Sequence, residues 1–176
     1  MATHDQRHNR SKQWQIVSVE RVQNLSMWQS YAVKRQTVTT RDNALGDPEK
    51  ERKLDKKWLF HGTDQDTVGK IIEMGFNRSF AGKNAVRYGK GVYFARDASY
   101  SDNYAAQDSQ GIRRMFLCRV VVGQWCLGYN ERLVPDVRTG QTLYDSTVNS
   151  MDDPIMWVTY NDAQAYPEYL VKYRHV

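Results

Sequence analysis

The run Met115–Val122, MFLCRVVV, is the strongest structural signal in the chain: it is apolar except for Arg119 and ends in β-branched residues, which predicts a strand buried in a core. Shorter runs repeat the theme. Trp14–Val22 alternates as a half-buried strand does, and Trp58–Phe60, Gly91–Phe94, Ile155–Tyr160 and Tyr169–Tyr173 predict further short strands. Three helices fit between them. Asn24 can cap the first, whose apolar face includes Leu25, Trp28, Tyr31 and Ala32 and which ends before Asn43. Thr63 or Asp64 can cap the second, which carries Val68, Ile71 and Ile72 and meets a terminating Gly75. Ala98–Gln107 supplies the third. The strand at Trp58 is expected to stop on the glycine turn His61-Gly62-Thr63, and Arg41–Lys57, 77–90 and Gly123–Leu143 read as connections. Strands broken by a few helices, without regular βαβ alternation, indicate an α+β domain over residues 13–176, preceded by a flexible polar tail over 1–12.

Composition closes off several classes. A chain of 176 residues with 40% hydrophobic and 12% aromatic content can bury a core, which argues against disorder. No stretch reaches the roughly 18 apolar residues of a membrane helix, and MATHDQRHNRSKQ lacks a signal-peptide core, so no membrane partner is expected. The two cysteines, Cys118 and Cys126, lie in or beside apolar stretches, as buried thiols of an intracellular protein of the cytoplasm or nucleus do. A net charge of +5, scattered along the chain, makes a nucleic-acid module a weak reading. His4 and His8 have the i,i+4 spacing of a zinc helix but lack the glutamate and the third ligand, so no metal site is expected. GxGxxG, GxxxxGK[ST], CxxC and GxSxG are all missing, which removes the Rossmann route to a dinucleotide.

Another route is written in WLFHGT (58–63), GFNRSFAGKNAVRYGKG (75–91) and GKGVYFARDASYSDNYA (89–105). In this order and spacing they resemble the NAD-binding signature of the poly(ADP-ribose) polymerase-like ADP-ribosyltransferases, the branch related in fold to diphtheria toxin. VERVQNLSMWQSYAVKR (19–35) and DAQAYPEYL (162–170) resemble the opening and closing segments of its mono-ADP-ribosylating subgroup, so the likeness covers nearly all of 13–174. It implies largely antiparallel strands in two packed sheets with a few flanking helices. It also implies NAD as co-substrate, without a metal.

The residues make physical sense of those implied roles. Gly62 lets a flat carboxamide approach its backbone, the grip the family applies to nicotinamide. His61 can donate to a ribose hydroxyl, and Tyr93 and Tyr104 can hold the nicotinamide ring between π faces while Ser101 meets its carboxamide. Residues 77–90 resemble the loop lining the donor site, with Tyr88 on the nicotinamide side and either Asn77 or Arg78 near the adenosine diphosphate. Thr63, Phe94 and Ala95 flank these positions and complete the implied NAD-binding set.

Polymer-forming members use a His-Tyr-Glu triad. His61 and Tyr93 match its first two residues, and the third position falls on Met156, in IMWVTYNDAQAYPEYL; a rival register would place Glu168 there. A thioether cannot take a strong hydrogen bond from a ribose hydroxyl or set negative charge beside an oxocarbenium-like centre. With Met156 in place, the expectation is transfer of one ADP-ribose to an acceptor, a protein side chain or the chain itself, assisted by the acceptor's own carboxylate. Nucleic-acid ends are a disfavoured acceptor, and a monomer is expected. The competing readings are a silent domain that binds NAD, ADP-ribose or a protein and, with Glu168 in the triad, a polymer-forming enzyme.

Overall fold

The computed structural model describes residues 13–46, 55–78 and 86–176, with backbone alone at 55–57; the expected tail at 1–12 lies outside these residues. The strands are β1 (Trp14–Arg21), β2 (Asp55–Thr63), β3 (Val92–Ala95), β4 (Arg113–Val121), β5 (Trp125–Leu127), β6 (Val137–Thr139), β7 (Thr142–Leu143), β8 (Ser146–Val148), β9 (Met156–Thr159) and β10 (Ala165–His175). The helices are α1 (Leu25–Ala44), α2 (Gln65–Met74) and α3 (Ala98–Asp102), and a 3-10 turn spans Asp162–Gln164. Eight strands form one sheet in the order β1-β10-β4-β2-β3-β9-β8-β5, and β6 and β7 form a second, small ribbon. All pairings are antiparallel except β5 with β8, as the α+β reading requires.

Met115–Val122 is the heart of this sheet. Phe116, Cys118 and Val120 point from β4 into the main core, each fully buried, and meet Leu59, Phe94, Trp157 and Leu170 from four other strands. Burial of an aliphatic or aromatic side chain of this kind contributes about 1.5–3 kcal/mol. Both neighbours of β4 bulge opposite the same stretch. In β2 the irregularity falls at Trp58, whose φ of 64° places it in the left-handed region, and in β10 it falls at Glu168. An extra residue bends a strand and turns a side chain aside. Here Trp58 swings over to Tyr169, with ring centroids 5.7 Å apart, and Glu168 closes a two-bond ion pair with Arg119 at 2.5 and 2.9 Å.

The helices begin where their caps predict. Asn24 Oδ1 accepts from the Met27 N–H at 3.1 Å and Asn24 Nδ2 donates to the Ile72 carbonyl, so one residue starts α1 and ties it to α2. Asp64 rather than Thr63 caps α2, accepting from the Thr67 N–H at 2.8 Å, and Gly75 ends it at φ 77°. The buried face of α1 agrees with the expected one at Tyr31, and Trp28 packs beside it on Tyr166, but Leu25 does not belong to it. Tyr31, Val38 and Asp42 are its buried residues, while Leu25 is 70% exposed, because the helix packs on Val121 and Tyr166 through Tyr31 and Val38, with Met27 against the same cluster. At its end Asp42 accepts from Arg41 and Arg138, and Arg41 makes a bidentate pair with Asp145, which joins α1 to β6 and to the approach to β8.

Several expected boundaries move, and the strand expected over Tyr169–Tyr173 spans Ala165–His175. The strand at Trp58 does not stop at Gly62 but continues through Thr63, since Gly62 and Thr63 still pair with Met115 and Arg114 of β4. The helix expected over Ala98–Gln107 covers only Ala98–Asp102, and the segment expected to be irregular, Gly123–Leu143, contains three short strands. Both cysteines are buried free thiols, and burial pushes both up from the ordinary thiol range. Among the described residues no helix is long and apolar enough to cross a membrane.

Candidate active site

The sheet nearly divides in two. β2 and β3 share a single Cα pair, Phe60 with Ala95, after which their ends separate and leave a cleft of about 240 Å³. β2 supplies His61, Gly62 and Thr63 to its wall, and β3 supplies Tyr93, Phe94 and Ala95. α3 closes one side with Ser101 and a following Tyr104, and α2 closes the other.

The carbonyls at the divide are taken by side chains of the cleft. The Tyr93 carbonyl lies 2.9 Å from His61 Nδ1, and the Phe60 carbonyl accepts from Ser101 Oγ at 3.0 Å. A carbonyl can only accept, so Nδ1 of His61 carries the proton. Burial lowers the His61 pKa from its ordinary value and keeps the ring neutral. The remaining nitrogen, Nε2, is therefore an acceptor. This corrects the expectation that His61 donates: a ribose hydroxyl would donate to it. Phe76 and Phe94 hold the ring edge-on and tilted, at centroid distances of 4.9 and 5.6 Å.

Gly62 is not a turn glycine. It lies within β2 at an ordinary φ, and a Cβ placed on it would fall 1.9 Å from the Ser101 carbonyl oxygen. Its missing side chain is what lets α3 lie flush on β2. Substitution there would push α3 outward before it filled any ligand site.

Tyr93 reaches from β3 to the end of the 77–90 segment, donating to the Gly89 carbonyl at 2.8 Å and accepting from the Tyr88 N–H at 3.0 Å. Burial pushes its pKa up to about 12. The phenol thus stays protonated and engaged, and its ring face is what remains for a ligand. Tyr104 sits at a centroid distance of 5.9 Å from Tyr100, which also lines the cleft and which sequence reasoning missed. The i,i+4 spacing of two tyrosines was the available signal.

The other expected site residues separate. Asn77 lines the cleft, but neither Arg78 nor Tyr88 does. The Arg78 guanidinium donates to the Tyr160 carbonyl at 2.9 Å and its N–H to Asp162, so it fastens the exit of α2 to the 3-10 turn. The Tyr88 carbonyl is held by Thr147 Oγ1 and Tyr160 Oη. Residues 79–85 lie outside the described set. Met156 lines the cleft from β9, where it pairs with Ala95, and Asn149 Oδ1 accepts from its N–H at 3.0 Å. Glu168 is absent from the cleft, spent on Arg119 at the bulge of β10. Asp64 is the one carboxylate lining the cleft among the described residues, and it is engaged in capping α2. No cluster of metal ligands occurs among the described residues.

A sequence profile of the poly(ADP-ribose) polymerase catalytic domain matches residues 1–132. The chain belongs to this family. Among its relatives, human protein mono-ADP-ribosyltransferase PARP14 is 39% identical over 166 residues, covering 92% of this chain and 9% of that protein. Mouse protein mono-ADP-ribosyltransferase PARP12 is 36% identical over 160 residues (90% and 21%), and mouse protein mono-ADP-ribosyltransferase PARP10 is 35% identical over 165 (92% and 16%). The chain thus spans between 9% and 21% of the length of these three proteins. The segments that resemble the family's signature stand on the strand and helix ends described above: His61-Gly62 on β2, Tyr93-Phe94-Ala95 on β3, and Ser101 and Tyr104 on and after α3.

Proposed function

We propose that the chain transfers a single ADP-ribose from NAD to an acceptor side chain and releases nicotinamide. The observation that carries this reading is the cleft itself, which joins a neutral acceptor histidine, a Cβ-free backbone, three tyrosines and a serine, and is lined by Met156, the residue read as taking the position of the triad carboxylate. The nicotinamide carboxamide would lie against the backbone of Gly62 and the hydroxyl of Ser101. The ring faces of Tyr93 and Tyr104 would flank it. His61 Nε2 would accept from a ribose hydroxyl and fix the dinucleotide's other half, with Asn77 beside it.

In the reaction the bond from the anomeric carbon to the nicotinamide nitrogen breaks and its electron pair leaves with neutral nicotinamide. An acceptor oxygen then forms the new bond to that carbon. The developing positive charge needs a negative partner. Met156 offers none, and an acceptor carboxylate that supplies the charge is consumed in the same step. This chemistry ends after one transfer. A hydrogen bond to a charged group contributes about 1.5–3 kcal/mol, so a lost carboxylate slows transfer by roughly 10–150-fold and does not forbid it.

A protein side chain is the favoured acceptor, the chain's own included. The buried free thiols Cys118 and Cys126 fit a reducing, intracellular setting. Incubation with labelled NAD tests the reading. Single adducts, formed more slowly in His61→Ala, are expected; long ladders would overturn the single transfer, and no label on any acceptor would overturn the activity.

A further inference from the structure

The wall that carries Ser101 and Tyr104 is too short to hold itself in place. α3 has five residues, and Asp97 at its N-cap makes no side-chain cap bond. One turn of helix fixes several dihedrals for a single hydrogen bond and is unfavourable alone. Its position must come from its contacts. On the cleft side these are Gly62, which admits the Ser101 backbone, and the bond from Ser101 Oγ to the Phe60 carbonyl.

On the far side stands Asp102, which does not line the cleft. It is 3% exposed, and Oδ1 accepts from Tyr173 Oη at 2.8 Å and lies 3.0 Å from His175 Nε2. Arg113 Nη1 is 3.9 Å from the same oxygen and donates to the carbonyls of Ala105 and Asp102, at 2.6 and 3.4 Å, just past the helix. Tyr173 is itself fully buried and stacked on Trp14 at 4.9 Å. Burial and Asp102 together raise the Tyr173 pKa, so its hydroxyl remains a donor. A buried carboxylate is tolerated only when hydrogen-bonded, and here two of its partners come from the last residues of β10, which lies beyond β4 from the strand of Phe60. Two adjacent residues, Ser101 and Asp102, thus tie α3 to two different strands, one to β2 and the other to β10.

We infer that Asp102 is a positioning residue for the nicotinamide end of the site: with Tyr173 and His175 it sets the height of α3 over β2, and so the places of Ser101 and Tyr104. The inference rests on the proposed NAD site. It predicts a split between two ligands. Nicotinamide depends on the α3 wall, whereas ADP-ribose, which has no nicotinamide, depends on His61 and the α2 side.

The test uses calorimetry on the full chain with nicotinamide and with ADP-ribose, beside steady-state kinetics with NAD. Tyr173→Phe removes one hydroxyl and keeps the ring, and should weaken nicotinamide by about tenfold with ADP-ribose within about twofold. KM for NAD should rise more than kcat falls. His175→Ala should act in the same direction, and His175→Gln, which returns a donor, should restore most of the loss. Asp102→Asn should give the largest split; if it fails to fold, Tyr173→Phe and the His175 pair still decide. Equal weakening of both ligands, or unchanged nicotinamide affinity in Tyr173→Phe, would overturn the inference. If the wild-type chain binds neither ligand, the proposed function fails and takes this inference with it.

Discussion

The two edges of β2 are used in opposite ways. Toward β4 it pairs from Asp55–Val121 to Thr63–Arg114, interrupted only by the bulge at Trp58; toward β3 it pairs at Phe60–Ala95 alone. The first edge builds the core around Phe116, Cys118 and Val120, and the second opens the cleft. At the open edge, carbonyls of Tyr93 and Phe60 accept from His61 and Ser101, so of the side chains proposed to hold NAD one bridges the divide and the other ties α3 to β2. A strand that is fully laddered on one side can hold reactive groups in fixed positions on the other, because backbone pairing supplies the rigidity the site needs.

Variants can separate these two edges. The largest effect is expected from Glu168→Ala on the laddered side. It leaves Arg119 without its bidentate partner and should cost about 3–5 kcal/mol of stability, read as a lower denaturation midpoint in urea. Residual folded protein should still bind NAD, because Glu168 is not in the cleft. Should binding vanish at full folding, Glu168 would regain a claim to the triad position.

On the open side, His61→Ala should weaken kcat/KM for NAD by roughly 2–13-fold, the value of one neutral hydrogen bond of about 0.5–1.5 kcal/mol. Its effect on the urea midpoint should be smaller than that of Glu168→Ala.

The same histidine carries a pH signature. Its pKa is lowered in the folded chain, so as pH falls below the unfolded value near 6.5 the unfolded chain takes up a proton that the folded chain does not. Stability should therefore decline as pH falls through the unfolded value near 6.5, with a limiting slope of about 1.4 kcal/mol per pH unit from this group. His61→Gln should remove that component. An unchanged slope would mean that His61 takes up its proton equally in the folded and unfolded chains.

Met156→Leu should do least. The swap conserves volume and should cost under about 1.5 kcal/mol, with single-adduct transfer kept. A large loss of transfer in a well-folded protein would show that the thioether takes part in the chemistry.

Much of the site was readable along the chain because its parts sit at element ends with local signatures: His-Gly-Thr closing a strand, Tyr-Phe-Ala forming one, Ser and Tyr in the next helical turn. What the chain hid was pairing. Nothing local distinguishes Asn77, which reaches the cleft, from Arg78, which turns to Tyr160. Tyr88 stood near the site in sequence, yet its carbonyl is held from beneath by Thr147 and Tyr160, residues far along the chain. Gly62 was expected in a turn because glycine breaks strands in isolation. In the fold it is a strand residue kept bare by the Ser101 carbonyl.

By itself the sequence determined the α+β class, the strand at Met115–Val122, the caps at Asn24 and Gly75, and the signature that places the chain among poly(ADP-ribose) polymerase catalytic domains. Those are properties of short segments, fixed by periodicity, β-branching and backbone freedom. The tertiary structure decided which nitrogen of His61 is protonated, which of Met156 and Glu168 lines the cleft, and how Asp102 braces α3. Each depends on groups distant in sequence meeting within hydrogen-bond reach, and such meetings are set by the sheet order and its bulges.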